Sequence, residues 1–214
     1  MRMRGASIRD VEKRFGIARS TLSYWFRDVS IPIVSRKRLH KRWKLALTYA
    51  RIEAAKWHRA QKELRLKLAQ REAEKVLENL DLENKHIIDL ALAMLYLGEG
   101  FKAGDVTGMG NSDPRILRFF LTALEKNNGL SRKNLKCELH LRDDQDSKQI
   151  IQHWSKQLRI PKENFRKPIH DMRTIGRPSY PNYKGVCVIQ CGNVAIQRKL
   201  MYISNLICER ISGA

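Results

Sequence analysis

The feature that most constrains this chain is a run from Ser35 to Leu80 that contains neither proline nor glycine. Alanine, leucine, lysine, arginine, glutamate and glutamine make up most of the run, and all of these residues favour helices. Pro32 stands just before it, where proline ends a preceding helix. The run predicts a long helical connector over residues 32–83, which separates an N-terminal segment, residues 1–31, from a C-terminal domain, residues 84–214.

The chain is strongly basic, and the connector carries much of the charge. Lysine and arginine number 42 against 22 aspartates and glutamates, for a formal charge of +20. Residues 36–71 alone hold 13 basic and 2 acidic residues. Such an excess favours a polyanionic partner, most often nucleic acid. We therefore expect phosphate contacts along this helix, although its charge alone does not separate DNA from RNA or an anionic membrane surface.

A partial apolar stripe also runs along the connector. Its members recur at spacings of three or four, which is the spacing of one helix face. The pattern does not settle into clean heptads, so it does not by itself predict a coiled coil. The stripe consists of Trp43, Leu47, Ala50, Ala54 and Trp57.

Membrane and disulfide-based functions are not favoured by this composition. No apolar stretch reaches the roughly 20 residues that span a bilayer, and no signal-peptide apolar region follows the basic N-terminus. The four cysteines include no CxxC pair, which fits reduced thiols better than disulfides or a zinc site. We expect a cytoplasmic, nucleoid-associated protein with no membrane partner.

Residues 7–29, SIRDVEKRFGIARSTLSYWFRDV, have the pattern of two short helices joined by a tight turn. Ser7 suits an N-cap, and Gly16 can adopt the positive φ that the turn needs. The segment resembles a helix-turn-helix of the resolvase or repressor kind. The apolar positions expected to pack between its helices are Val11, Phe15, Ile17, Leu22 and Trp25.

The resemblance implies that the second helix, from Ala18 to about Arg27, enters the major groove of double-stranded DNA. Arginine can bind guanine through two hydrogen bonds, and serine and threonine suit phosphates or base edges. The residues expected to contact DNA are Arg19, Ser20, Thr21, Ser23, Tyr24 and Arg27.

The C-terminal region reads as mixed α and β. Periodicity predicts helices over 86–98, 113–126, 146–158 and 193–210, and strands within 106–111, 135–142, 166–175 and 184–191. Alternation is clearest over 135–142, which predicts a half-buried antiparallel strand. Residues 177–185 read as a hairpin loop between the last two strands. The prediction is an α+β domain with an antiparallel sheet, whose polar face presents Lys136, His140 and Arg142 to DNA.

Residues 92–100, LAMLYLGEG, resemble the motif of the LAGLIDADG homing endonucleases, and the following FK and GNSDPRILRFF resemble single-motif prokaryotic proteins that carry an N-terminal helix-turn-helix. Gly98 occupies a position where the family has a small residue that permits close helix approach. The residues that match the motif are Leu92, Ala93, Leu95, Glu99 and Gly100.

The resemblance implies a function for Glu99, because the family's acidic residue at this position binds Mg²⁺ in the active site. A single motif copy implies a homodimer through the helix over residues 87–99, and such a dimer would act on a pseudo-palindromic DNA site. Mg²⁺ prefers carboxylate ligands and can activate water for phosphodiester hydrolysis. Lys102 and Lys184 are candidates for the basic catalytic residue near the scissile phosphate, and Lys136 and His140 are further ones.

Two alternatives stay open at this point. The protein is a Mg²⁺-dependent site-specific endonuclease, or a DNA-binding transcriptional regulator that keeps the endonuclease-like fold without cutting. Glu99 also has a simpler interpretation, as an acid at the end of a helix that two glycines terminate. Likewise Asp143, Asp144 and Asp146 fit either a metal cluster or, more simply, a turn and a helix N-cap.

Overall fold

A computed structural model describes residues 1–213. These residues form seven α-helices and one four-stranded sheet. Contacts divide the chain into two units, Met1–Glu78 and a second that begins at Asn79. The elements are α1 (Ile8–Phe15), α2 (Arg19–Trp25), α3 (Ile33–Glu78), α4 (Lys85–Glu99), β1 (Gly108–Asn111), α5 (Pro114–Asn128), β2 (Lys136–Arg142), α6 (Ser147–Leu158), β3 (Ile169–Asp171), β4 (Val186–Gln190) and α7 (Val194–Ser212).

The first unit begins with two short helices. Ser7 caps α1 in a reciprocal capping box with Asp10, which satisfies two of the free N–H groups at the helix start. Gly16 ends α1 with φ 68°, and its N–H donates to the Glu12 carbonyl at 2.8 Å. Two short helices joined by a turn at Gly16 are thus present as predicted, and α2 ends at Trp25, two residues earlier than expected.

The packing between α1 and α2 is smaller than the sequence predicts. Val11 and Leu22 are buried, whereas Phe15 and Trp25 are 57% and 58% exposed. The prediction that both aromatic residues pack between the helices is therefore wrong. Helices of eight and seven residues make only about two turns each, and so small a contact covers few side chains.

Helix α3 confirms the predicted long helix, which runs for 46 residues from Ile33, directly after Pro32, to Glu78. At 1.5 Å per residue its length is about 69 Å. No residue of α3 is buried. The contacts group α3 with the preceding residues in one unit, and at its start the Arg38 guanidinium donates to the Gly5 carbonyl at 3.4 Å.

The sheet of the second unit has the strand order β1-β4-β2-β3. Strands β1 and β2 both pair with β4 in antiparallel fashion, but β3 runs parallel to β2, with Leu141 opposite His170. The predicted antiparallel sheet is therefore wrong, since the sheet is mixed. Helix α6 lies between β2 and β3 in the chain, and a crossover of that kind lets the next strand start in the same direction.

Residues 177–185 do not form the predicted hairpin loop, because β2 lies between β3 and β4 in the sheet. The strand alternation over β2 is confirmed, with Cys137, Leu139 and Leu141 buried. These side chains belong to one hydrophobic core with residues of α4, α5, α6 and α7. One face of the sheet is thus covered by helices, while the other carries mostly polar and half-buried side chains.

Among residues 1–213, no helix combines the length and the apolar character needed to cross a membrane.

Candidate nucleic-acid interface and the carboxyl end of α4

The outer surface of α2 carries most of the residues predicted to contact DNA. Arg19, Ser20, Ser23 and Tyr24 are exposed, and Thr21 is half-buried. None of these five side chains makes a hydrogen bond or ion pair with another of the described residues. A side chain without an internal partner can pair with a ligand at no cost in lost contacts, so this surface is free to bind.

Arg27 lies beyond α2 rather than on it. The helix ends at Trp25, and the Arg27 N–H donates to the Tyr24 carbonyl in the following turn at 3.2 Å. Its side chain is exposed and adds positive charge beside the helix. Exposed basic residues of α1, Lys13 and Arg14, occur in the same unit. The Arg14 guanidinium lies 5.9 Å from the centre of the exposed Phe15 ring.

At the other candidate site, Glu99 is the last residue of α4 and is exposed. Its Oε2 accepts a hydrogen bond from Asn111 Nδ2 at 3.0 Å, at the end of β1. The Asn111 side chain is itself held, because its Oδ1 accepts from the Asp113 N–H at 2.8 Å. The Glu99 carboxylate therefore has one hydrogen-bond partner in a fixed position, and the rest of the group is exposed to solvent.

A network of hydrogen bonds joins the end of α4 to β1. The buried Tyr96 hydroxyl donates to the Phe101 carbonyl at 2.8 Å and accepts from the Gly108 N–H at 3.3 Å. Gln197 Nε2, from α7, donates to the same Phe101 carbonyl at 2.9 Å. A Cβ on Gly100 would lie 2.5 Å from the Tyr96 ring, so only glycine fits there.

The segment after Glu99 makes a very short hairpin with β1. Gly100 forms a single antiparallel bridge with Met109, and the Phe101 N–H donates to the Gly108 carbonyl at 3.0 Å. Lys102 Nζ lies at the carboxyl end of α4, where it donates to the carbonyls of Gly98 and Gly100 at 3.4 and 3.3 Å. A cation there is favoured by the free carbonyls and the helix dipole.

Lys184, the other predicted catalytic lysine, is not brought to Glu99. Its Nζ donates to the Pro181 carbonyl at 3.4 Å, and its own carbonyl accepts from Trp154 Nε1 on α6. Burial, together with the Lys184 charge, lowers the pKa of His153 below its usual value. Within residues 1–213, neither Lys102 nor Lys184 forms an ion pair with Glu99.

The three residues of β2 predicted to contact DNA differ in whether their side chains already have partners within the protein. Lys136 is exposed and has no hydrogen-bond partner within the described chain. His140 Nε2 lies 2.9 Å from Glu138 Oε1. Arg142 Nη2 donates to the Arg177 carbonyl at 2.7 Å, so this side chain is bound to the loop before β4. It lines a cleft of about 650 Å³ beside β3.

The aspartates after β2 have structural partners. Asp146 caps α6 by accepting the N–H groups of Lys148 and Gln149. Asp144 accepts from the backbone and hydroxyl of Ser179, and these hydrogen bonds lower the pKa of its carboxyl. The turn-and-cap interpretation therefore describes this group. No group of three histidine, cysteine or acidic side chains able to hold a metal ion occurs in the described part of the chain.

We found no match to this chain among protein-family models, curated proteins or solved structures.

Two features of the Glu99 site were missed in the sequence. Asn111, its only side-chain partner among residues 1–213, lies twelve positions away in the chain. Asn-x-Asp followed by proline is a signal for an Asx turn before a helix, and it could have placed Asn111 at the start of α5. Tyr96 looked like one more apolar residue of the helix, and no local pattern indicates that its hydroxyl joins α4 to β1.

Proposed function

We propose that this protein binds double-stranded DNA through the first unit, with α2 in the major groove. The observation that carries the proposal is the α1–Gly16–α2 geometry, which presents a short helix whose outer side chains are basic or hydroxyl-bearing and have no internal partner. The basic excess of the whole chain supports a polyanionic ligand. In this reading Arg19 contacts a base edge, and Ser20 and Thr21 contact phosphate or base.

The test begins with a DNA sequence selected from a random pool by the full-length protein. Arg19→Ala should weaken binding to that DNA by about 1–3 kcal/mol and relax the preference at one position, if Arg19 reads a base. Arg210→Ala, an exposed arginine on α7, is the matched control and should leave affinity and preference unchanged. Full affinity and an unaltered base preference for Arg19→Ala would refute the assignment of α2.

Cleavage of the bound DNA by a homodimer is a second candidate function, and one surface favours it. The outward stripe of α4 consists only of apolar residues and glycine, and Leu90 and Met94 are each 40% exposed. A Cβ at Gly98 would meet no atom within 4 Å, so the helix is open to a close neighbour there. The stripe is formed by Ile87, Leu90, Ala91, Met94, Leu97 and Gly98.

Among residues 1–213, one chain supplies a single carboxylate at the carboxyl end of α4, that of Glu99. Mg²⁺ in phosphoryl-transfer sites is commonly held by one or two carboxylates together with substrate phosphates and water. Two chains joined through the α4 stripe would supply a second carboxylate, so the site is incomplete without the second copy. The short hairpin after Glu99 supports the regulator alternative, since the homing enzymes grip DNA with a long one.

Incubation of the selected DNA with Mg²⁺ separates the two candidates. The endonuclease hypothesis expects cleavage by the wild-type protein and none by Glu99→Gln, with binding retained in both. The control is Glu163→Gln, an exposed acid of the second unit, which should cut like the wild type. Binding without cleavage by every protein would remove the nuclease function and leave the regulator.

A further inference from the structure

Helix α3 has a large apolar surface with nothing packed against it in its own unit. Trp43, Trp57, Leu64 and Leu68 are between 48% and 59% exposed, and no residue of the helix is buried. Helices in proteins draw most of their stability from packing an apolar face. Contiguous exposed apolar surface of this kind marks an interaction site in most proteins.

A heptad seam of mostly apolar residues runs along α3; most of its members are exposed, and Leu47 and Gln61 are half-buried. Because the helix is continuous from Ile33 to Glu78, its phase can be followed beyond the five-residue stripe that the sequence suggested. From Trp43 to Leu68, spacings of four and three alternate without a break, and the seam ends before Arg71. The seam residues are Trp43, Leu47, Ala50, Ala54, Trp57, Gln61, Leu64 and Leu68.

We propose that α3 pairs with α3 of a second copy of this chain in a parallel, in-register coiled coil along this seam. An alternating 4-3 repeat is the pattern that keeps one face of a helix against a like helix. Taking Trp43 as position d places Leu47, Ala54, Gln61 and Leu68 at position a. A single polar residue at an a position, here Gln61, is a known means of setting register and strand number.

Charges beside the seam select the parallel orientation. The e positions, one residue after each d, are Lys44, Arg51, His58 and Arg65, while the g positions before each a are Ala46, Glu53, Ala60 and Lys67. An antiparallel pair places e against e, which brings arginine and lysine together. A parallel pair places g against e instead. Glu53, which also pairs with Lys56 of its own chain at 2.7 Å, then faces the partner's His58, and Lys67 faces the partner's Glu72. No like charges meet between these g and e positions.

The small residues of the seam fit the same arrangement. Ala50 and Ala54 lie between Trp43 and Trp57, which allows the two helices to approach closely between two large aromatic layers. The seam leaves the basic residues of the other side of α3 free for phosphate contacts. A parallel pair also brings two α1–α2 segments to the same end, as a two-fold DNA site requires. The pairing itself does not depend on the proposed DNA binding.

Disulfide cross-linking in the full-length protein tests the orientation. In a Cys208→Ser background, which removes the exposed native thiol, Ala54→Cys and Leu68→Cys should each form a covalent dimer on mild oxidation. The two positions are about 21 Å apart along the helix. An antiparallel pair can place at most one of them opposite the same position of the partner helix, whereas a parallel in-register pair places both. Ala55→Cys and Leu66→Cys lie off the seam and should stay monomeric on reducing-agent-free gels. Equal cross-linking on and off the seam, or none at either seam position, would overturn the proposal.

A measurement of mass separates this pairing from a dimer through α4. In a Met94→Asp background, which disrupts the α4 stripe, the protein should still have the mass of two chains. Adding Leu64→Asp should reduce it to one chain, while adding Leu66→Asp should not. Leu64 and Leu66 are 51% and 59% exposed, so the two substitutions perturb the single helix alike. A monomer in the background variant, or the same mass for both double variants, would exclude the coiled coil whether or not DNA is bound.

Discussion

Replacing Tyr96 with phenylalanine removes one hydroxyl from the junction between α4 and β1. Tyr96 is fully buried, and burial raises the pKa of its phenol above the usual value, so the group is a neutral donor at all ordinary pH. The hydroxyl donates to the Phe101 carbonyl and accepts from the Gly108 N–H. The substitution keeps the ring and deletes both hydrogen bonds.

The two hydrogen bonds differ in how much stability their loss costs. The Phe101 carbonyl still accepts a hydrogen bond from Gln197 Nε2 after the substitution. Losing the hydrogen bond from Tyr96 to this carbonyl therefore costs about 1 kcal/mol, as for an ordinary hydrogen bond. The buried Gly108 N–H loses its acceptor, which costs about 1–3 kcal/mol. Its 3.3 Å distance places that cost at the lower end. We expect a total of about 2 kcal/mol, because a long hydrogen bond loses less than an ideal one.

Urea unfolding of the full-length protein measures this loss. Trp154 is the only buried tryptophan among residues 1–213, so its emission reports the second unit when the other three tryptophans are replaced by phenylalanine. With a slope of about 2 kcal/mol per molar urea, the midpoint should fall by about 1 M. Tyr202→Phe, on a side chain that is 70% exposed, should not change it. A midpoint for Tyr96→Phe no lower than for Tyr202→Phe would refute the role of the hydroxyl.

Two further predictions concern stability. Burial raises the pKa of Asp89, but hydrogen bonds from Asn127 and Lys199 lower it more, and the net pKa is below the usual value. A carboxyl of this kind stabilises the fold above its unfolded pKa of about 4 and loses that contribution as pH falls through its folded pKa. Asp89→Asn should therefore lower the urea midpoint at pH 7 and have a smaller effect in acid; an equal effect at both would contradict this. Ser7→Ala removes the α1 capping box and should cost about 1 kcal/mol, seen as faster amide exchange in α1, whereas Ser23→Ala should leave that exchange unchanged.

Local patterns in the sequence predicted the elements that depend on neighbours along the chain. The start of α1 follows from Ser7 and its end from Gly16, because caps and turns are made within a few residues. The length of α3 follows from helix-forming composition and the absence of proline and glycine. The alternation over β2 predicted which of its side chains are buried and which lie on its polar face. In each case the signal lies in the residues of the element itself and in their immediate neighbours along the chain.

The tertiary structure decided the contacts between residues that are distant in the chain. The parallel pairing of β3 with β2 depends on where α6 returns the chain, which alternation within a strand does not report. The hydrogen bond from Asn111 to Glu99 and the binding of Arg142 to the Arg177 carbonyl likewise join residues that no periodicity links. The sequence determined which stretches are helical or extended and which side chains are basic. Only the packing determined which of those side chains are left free to bind, because a side chain's availability depends on the hydrogen bonds that its neighbours in space already make.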